Sequence, residues 1–304
     1  MIPDRAAIAA AHRLIAGDVR ETPVLQLGAL SLKLELLQLA GSFKPRGAFH
    51  RIRAAGAGSA GVVAASGGNH GAAVACAAER LGLHTEIFVP EIASPAKRAL
   101  IEGFGASLTV GGATYDEARQ ASERRAAETG ALIVHAYDQP EILAGQGTLA
   151  MEWERQVAGL THLLIAVGGG GLIGGFAAWH AASSVTLVAV EPEGCPCLAM
   201  ALQAGQPVAA PVGGIAADSL GARQVGSLSF PLAARLHEAG RLTSVQVPDP
   251  AIRAAQRRLW GEARLVAEPG GAAALAALDL WTPPAGARVG LLLCGANTDP
   301  ASIL

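Results

Sequence analysis

His162-Leu163-Leu164-Ile165-Ala166-Val167-Gly168-Gly169-Gly170-Gly171-Leu172 runs an apolar strand straight into four glycines and then into a helical pattern. A continuous apolar run bounded by glycine reads as a strand buried on both faces, as in the parallel sheets of α/β proteins. Turn geometry needs one or two glycines. Four in succession also leave main-chain N–H groups free to surround a phosphate at the positive end of the following helix. An α/β fold with an anion site at a strand-to-helix turn is therefore expected.

Working outward, the same alternation recurs. Before the glycines, strands are expected at 62–65, 85–89, 107–110 and 132–134, separated by helices at 70–81, 95–104 and 114–128. An amphipathic helix at 2–16 with Asp4 as its cap, and a strand at 32–36, precede them. A glycine-rich joint at Gly145-Gln146-Gly147 opens a second series. Its helices are expected at 148–157, 172–182, 228–238, 249–260 and 271–278, and its strands at 162–167, 186–190, 242–247 and 289–293. Such βαβα order gives two open, mostly parallel sheets covered by helices. The stretch 192–226, rich in Gly, Pro and Ala, reads as an irregular excursion.

Composition narrows the function classes. The chain has 304 residues, is 51% hydrophobic and carries a formal net charge of −2 without a basic or acidic block. Neither nucleic acid nor an anionic membrane is expected as a partner, and a small molecule is. No apolar leader or uncharged membrane-length run is present, so a cytoplasmic enzyme with reduced thiols is expected. Cys195 and Cys197 form a lone Cys-x-Cys without a second pair, which reads as loop residues rather than a zinc site.

Of 23 basic residues only three are lysines: Lys33, Lys44 and Lys97. Lys44 lies in Gly41-Ser42-Phe43-Lys44-Pro45-Arg46-Gly47-Ala48, where Ser42 reads as a helix cap with Pro45 in the first turn. A cation there faces the positive end of a helix dipole, which is unfavourable without a reason. A surface lysine in a loop is the competing interpretation.

Ligands of open α/β sheets bind beyond the carboxyl ends of strands. Besides the glycine run, two such turns are unusual. Ser66-Gly67-Gly68-Asn69-His70-Gly71 offers free amides, a hydroxyl and a side-chain amide, or else is an ordinary glycine-rich turn capped by Asn69. Leu293-Cys294-Gly295-Ala296-Asn297 ends a buried strand in a thiol, which alone could be a small core residue. A rival reading exists at the glycine run. Gly169-x-Gly171-x-x-Gly174 follows a strand, and Glu191 ends the next one, where a dinucleotide fingerprint places its ribose-binding acid. A nicotinamide-dependent oxidoreductase is the function from that class.

Taken together, Ser42 to Ala48, Ser66 to His70, Gly145-Gln146-Gly147-Thr148, Gly168 to Leu172 and Cys294 to Asn297 resemble the threonine/serine dehydratase family of pyridoxal-phosphate enzymes. That family has the tryptophan-synthase-β-like fold and counts serine racemases among its relatives. The resemblance runs in register from Ile8 to Asp299. It implies a large cofactor domain, 1–60 with 139–304, a small substrate-closing domain, 61–138, and a homodimer.

It also implies roles. Lys44 is the Schiff-base lysine and Phe43 packs beside the cofactor. Asn69 bonds the ring hydroxyl, Gly168, Gly169, Gly170, Gly171 and Leu172 hold the phosphate, and Cys294 faces the pyridine nitrogen. Ser66, Gly67, Asn69 and His70 form the substrate loop, and Glu268 matches an acid near the ring.

The implied reaction is β-elimination of a hydroxy amino acid such as L-threonine or L-serine to a 2-oxo acid and ammonia. Alternatives are 3-hydroxyaspartate or an aryl-serine as substrate, amino-acid racemisation, or a non-catalytic binding protein that keeps the fold. Racemases carry a serine where this chain has Gly67, which cannot transfer a proton. The family's cation site draws on positions occupied here by Glu191, Cys195 and Cys197; a thiol there is a poor ligand for magnesium or calcium, leaving Glu191 as a weak metal candidate. The regulatory extension of biosynthetic threonine deaminases is not expected after the Cys294 motif, and a catabolic role is.

Overall fold

The apolar runs pair mostly as parallel strands, and the turns that follow the strands Val62–Ala65, His162–Ala166 and Val289–Leu292 carry the residues of interest. A computed structural model describes residues 2–56, 58–91, 93 and 95–303. Its larger sheet has six strands in the order β1-β2-β10-β7-β8-β9. These are β1 (Val24–Leu27), β2 (Leu30–Lys33), β7 (His162–Ala166), β8 (Thr186–Pro192), β9 (Leu242–Val247) and β10 (Val289–Leu292). Every pairing is parallel except β1 with β2. The second sheet is wholly parallel, in the order β5-β4-β3-β6, from β3 (Val62–Ala65), β4 (Thr85–Val89), β5 (Ser107–Val110) and β6 (Leu132–Ile133). Two open, mostly parallel α/β sheets are what the alternation called for.

Helices flank both sheets: α1 (Arg5–Ile15), α2 (Lys44–Ala55), α3 (Asn69–Arg80), α4 (Pro95–Glu102), α5 (Tyr115–Thr129) and α6 (Pro140–Gln156) in the first half. The second half adds α7 (Gly171–Trp179), α8 (Cys197–Ala204), α9 (Ala217–Leu220), α10 (Ser229–Glu238), α11 (Asp249–Ala263) and α12 (Pro269–Ala276). Asp4 caps α1 by accepting from the Ala7 amide at 2.8 Å. Each sheet has its own apolar core. Leu164, Ile165, Val188 and Leu291 are buried in one, and Val62, Ala64, Ile87 and Val89 in the other.

Four local expectations change. The strand expected at 32–36 stops at Lys33, and Glu35–Leu37 is a 3-10 turn because Glu35 swings inward to an ion cluster. Ser42 is not the cap of α2. Its backbone is extended and bridges Gly295, while Phe43 occupies the cap position. Gly145-Gln146-Gly147 is no joint, for α6 runs through it. A Cβ at Gly145 would stand 2.6 Å from the Arg46 carbonyl oxygen, and one at Gly175 of α7 would stand 2.6 Å from the Gly147 nitrogen. These glycines let α2, α6 and α7 touch backbone to backbone, a packing reason that no turn signal reveals. Finally, the stretch 192–226 contains α8 and α9 rather than irregular chain alone.

A fully buried ion cluster joins α2, α6 and the end of β2. Arg46 pairs with Glu35 at 2.6 Å and Glu152 at 2.8 Å, and Lys33 pairs with Glu152 at 2.5 Å. Two cations and two anions balance, so no charge is left alone in the core. Lys33 is thereby committed to structure.

Candidate active site

Lys44 begins α2, and its side chain enters a cavity of about 460 Å³ that is also lined by Ser66, Asn69, His70, Tyr115, Tyr137 and Leu220. Its ammonium donates to the Ala136 carbonyl at 2.9 Å and lies 5.2 Å from the centre of the Phe43 ring. Burial is the largest influence on this amine and outweighs the opposing pull of the Glu268 carboxylate, lowering its pKa to about 8. A free amine is thus accessible near neutral pH, as a nucleophile or base requires.

The glycine run forms the turn from β7 into α7. Gly170 is the helix cap with φ +96°, a left-handed conformation that favours glycine. A Cβ at Gly168 would meet Leu220, one at Gly169 would enter the Tyr137 ring, and one at Gly171 would stand 3.0 Å from the Tyr137 Cβ. A side chain would clash at Gly169 and Gly170 and be crowded at Gly168 and Gly171, leaving a cradle of main chain. Phe43, Lys44 and Gly168–Leu172 line one small cavity there, which shares Lys44, Tyr137, Gly169 and Leu220 with the larger one.

Asn69 opens α3. Its Nδ2 donates to Glu268 Oε1 at 2.5 Å and its Oδ1 accepts from Asn297 Nδ2 at 2.8 Å. Glu268 is 3% exposed, and burial pushes its carboxyl up to about 7 against the Asn69 bond and Lys97. Burial likewise pushes the Cys294 thiol up to about 12, with Glu268 adding to the rise, so Cys294 remains neutral; its Sγ lies 3.6 Å from the Gly270 carbonyl. His70 meets the Val134 carbonyl through Nε2 at 2.9 Å. Burial, with Lys44 nearby, lowers its pKa to about 3, so the ring is neutral and Nε2 is the donor.

Ser66 Oγ accepts from the Gly68 amide at 3.1 Å and faces the cavity. Gly67 faces elsewhere: a Cβ there would stand 2.5 Å from the Ala93 Cβ.

Glu191 plays a different part from either reading given to it. Its two carboxylate oxygens accept from the Leu198 and Ala199 amides at 2.7 and 2.8 Å, at the start of α8, and the side chain is buried. It has no free face for a ribose. Among the described residues, no group of three or more His, Cys, Asp or Glu could hold a metal ion. Cys195 and Cys197 are buried free thiols, with Cys197 Sγ donating to the Gly168 carbonyl at 3.2 Å.

Several contributors escaped the sequence reading. Tyr137 lies against the glycine loop, and Tyr115, Val212 and Leu220 complete the cavity wall. Asn297, at the end of the Cys294 turn, bonds both Ala40 and Asn69. Lys97 forms an ion pair with Asp218, joining α4 to α9 beside Gly68. Rarity of lysine was the one signal that could have drawn attention to Lys97 and Lys33.

The residues present fit a pyridoxal phosphate: a main-chain cradle for phosphate, a lysine with a lowered pKa and an Asn amide line two adjoining cavities, and the neutral thiol of Cys294 lies in the turn hydrogen-bonded to Phe43, next to that lysine. Comparisons with known proteins agree. Residues 15–295 match the family of pyridoxal-phosphate dependent enzymes. The chain is 37% identical to a phenylserine dehydratase from Ralstonia pickettii, across 99% of this chain and 95% of that one. It is 34% identical to a biosynthetic L-threonine dehydratase from Haemophilus influenzae, across 91% of this chain and 56% of that one.

Among solved structures, maize serine racemase superposes with a TM-score of 0.92 at 31% identity, covering 100% of this chain and 96% of that one. The serine racemase of Dictyostelium discoideum gives 0.88 at 31% identity, covering 97% and 99%. No helix among the described residues is long and apolar enough to cross a membrane. The chain belongs to the pyridoxal-phosphate dependent enzymes of tryptophan-synthase-β-like fold, in the group related to threonine/serine dehydratases and serine racemases.

Proposed function

We propose that this chain is an ammonia-lyase that removes the β-hydroxyl of an amino acid and releases a 2-oxo acid and ammonia. The observation that carries the reading is Lys44 Nζ at the cavity wall, with its pKa lowered, beside a cradle of crowded glycines. Gly168–Leu172 amides would hold the cofactor phosphate, Asn69 the ring hydroxyl, and Cys294 Sγ the ring nitrogen. Bound there, pyridoxal phosphate supplies an electron sink for the substrate Cα. Lys44 Nζ takes the Cα proton, and Ser66 with the amides of the Gly67–Asn69 turn binds the substrate carboxylate. Cys294, held neutral by burial, leaves the ring nitrogen without a full counter-charge, which restrains the sink and favours prompt loss of a β-substituent.

Within this reading, a β-aryl hydroxy amino acid is the substrate class that the cavity favours. Tyr115, Tyr137, Val212, Leu220 and Ala222 give one part of the wall an apolar and aromatic character that suits a β-aryl group, beside the polar Asp116, Asp218 and Arg223. The phenylserine dehydratase relative points the same way. L-Threonine and L-serine are then slower substrates. A racemase would need a second acid/base on the opposite face, and Gly67, packed on Ala93, offers none. The proposed domains, 1–60 with 139–304 and 61–138, follow the two sheets, and a homodimer goes with this family reading.

Ammonia release from L-threonine, L-serine, 3-hydroxyaspartate and phenylserine tests the proposal. Phenylserine should give the highest kcat/KM, and Lys44→Ala should lose both activity and the visible cofactor band. Absence of ammonia from every substrate would sink it.

A further inference from the structure

The turn after β10 is laced to the segment that leads into Lys44. The Phe43 amide donates to the Cys294 carbonyl at 3.1 Å, the Ala296 amide donates to the Gly41 carbonyl at 2.9 Å, and Ser42 bridges Gly295. Beside this ladder Ala40 adopts φ +53°, ψ +20°, a left-handed conformation that costs a non-glycine residue about 1 kcal/mol or more. Its carbonyl accepts from Asn297 Nδ2 at 2.8 Å, and the other hydrogen of the same nitrogen goes to Asn69 Oδ1, also at 2.8 Å. At Gly41, φ +69°, any Cβ would run into the Asn297 side chain.

An order of donors follows from these contacts. A main-chain carbonyl can only accept, so the Ala40 oxygen fixes which end of the Asn297 amide faces it. That end is the nitrogen, and it therefore demands an oxygen from Asn69. Asn69 is left with its own nitrogen turned to Glu268 and the cavity. The two ends of an Asn amide have nearly the same shape, so the hydrogen-bond network decides which way each one points. Glu268 could not impose this order alone, because its protonated form can donate as well as accept.

We propose that Asn297 is a positioning residue, passing the polarity of the Ala40 carbonyl to Asn69 so that the Asn69 N–H, and not its oxygen, is presented to the cofactor. This rests on the reading above that Asn69 bonds the cofactor ring. The backbone strain at Ala40 has a use in that case: it aims a carbonyl where an extended or helical residue would not.

Cofactor affinity, measured by titrating pyridoxal phosphate into the apoenzymes, separates this role from a structural one. Asn297→Ala should weaken binding by up to about tenfold, the scale of one hydrogen bond, and shift the visible band of the holoenzyme. Asn297→Asp, which keeps the shape but puts an acceptor opposite an acceptor, should weaken it more. In an Asn69→Ala background, Asn297→Ala should add little. A full additional loss in that background, or unchanged affinity and spectrum in both Asn297 variants while Asn69→Ala weakens binding, would overturn the proposal alone. Unchanged affinity in Asn69→Ala would overturn it together with the reading on which it rests.

Discussion

Lys44 Nζ donates to the carbonyl of Ala136 at 2.9 Å, which ties the first residue of α2 to the loop that leaves β6. Burial lowers the pKa of this amine to about 8. Attachment of pyridoxal phosphate to the apoenzyme needs the free amine. Its rate should rise with pH and level off above about 8, followed by stopped-flow absorbance. Lys44→Arg keeps the charge and cannot attach cofactor, so it should bind pyridoxal phosphate only reversibly.

Glu268 gives a second pH signature. Burial raises its folded pKa to about 7, above the ordinary 4.5. Between those values the folded protein holds a proton that the unfolded chain has released, so stability falls as pH rises. Glu268→Gln mimics the protonated form. The difference in Tm between variant and parent should grow in favour of the variant from pH 4.5 to 7 and then level off. Equal pH dependence of the two proteins would refute the assignment.

The core ion cluster invites a different test. Glu152 faces Arg46 at 2.8 Å and Lys33 at 2.5 Å, all almost wholly buried. Glu152→Gln leaves two cations with one carboxylate, Glu35, and should cost about 3–5 kcal/mol in denaturant unfolding. Because Arg46 lies two residues beyond Lys44, cofactor binding should weaken in the same variant. Glu152→Asp, which keeps the charge on a shorter side chain, should lose less.

What could be read from the sequence, and what could not, divides by the range of the interaction. The strands and the turns at Gly168–Leu172 and Ser66–His70 are local signals, since apolar runs and consecutive glycines show themselves within a dozen residues. Gly145 was misread because its reason for being glycine lies across the molecule, at Arg46. Lys33 and Glu152 are 119 positions apart and Asn69 and Asn297 are 228 apart. No spacing rule connects such pairs. Tyr137 sits in a loop segment without a motif, and only the fold lays its ring on Gly169. The resemblance supplied Lys44, Asn69 and Cys294 together; the lacing that orients them came from the structure.

Lys97 offers the last test, because its partner belongs to the other sheet's share of the chain. Lys97 on α4 pairs with Asp218 on α9, and a Cβ at Gly68 would lie 3.8 Å from the Lys97 nitrogen and 3.4 Å from the Asp218 carbonyl oxygen. The pair thus stands at the edge of the cavity, which Asp218 lines, beside the loop that would bind the substrate carboxylate. Asp218 is 66% exposed, so the ion pair contributes about 0–1 kcal/mol to stability at most. Its effect should instead appear in substrate binding. Lys97→Ala should raise KM several-fold while Tm barely moves. The double exchange Lys97→Asp with Asp218→Lys should recover part of the loss if the bridge itself matters. Should the exchange recover nothing while Asp218→Ala alone is harmless, Lys97 acts as a lone positive charge near the carboxylate, and KM for Lys97→Ala should then lose its dependence on salt.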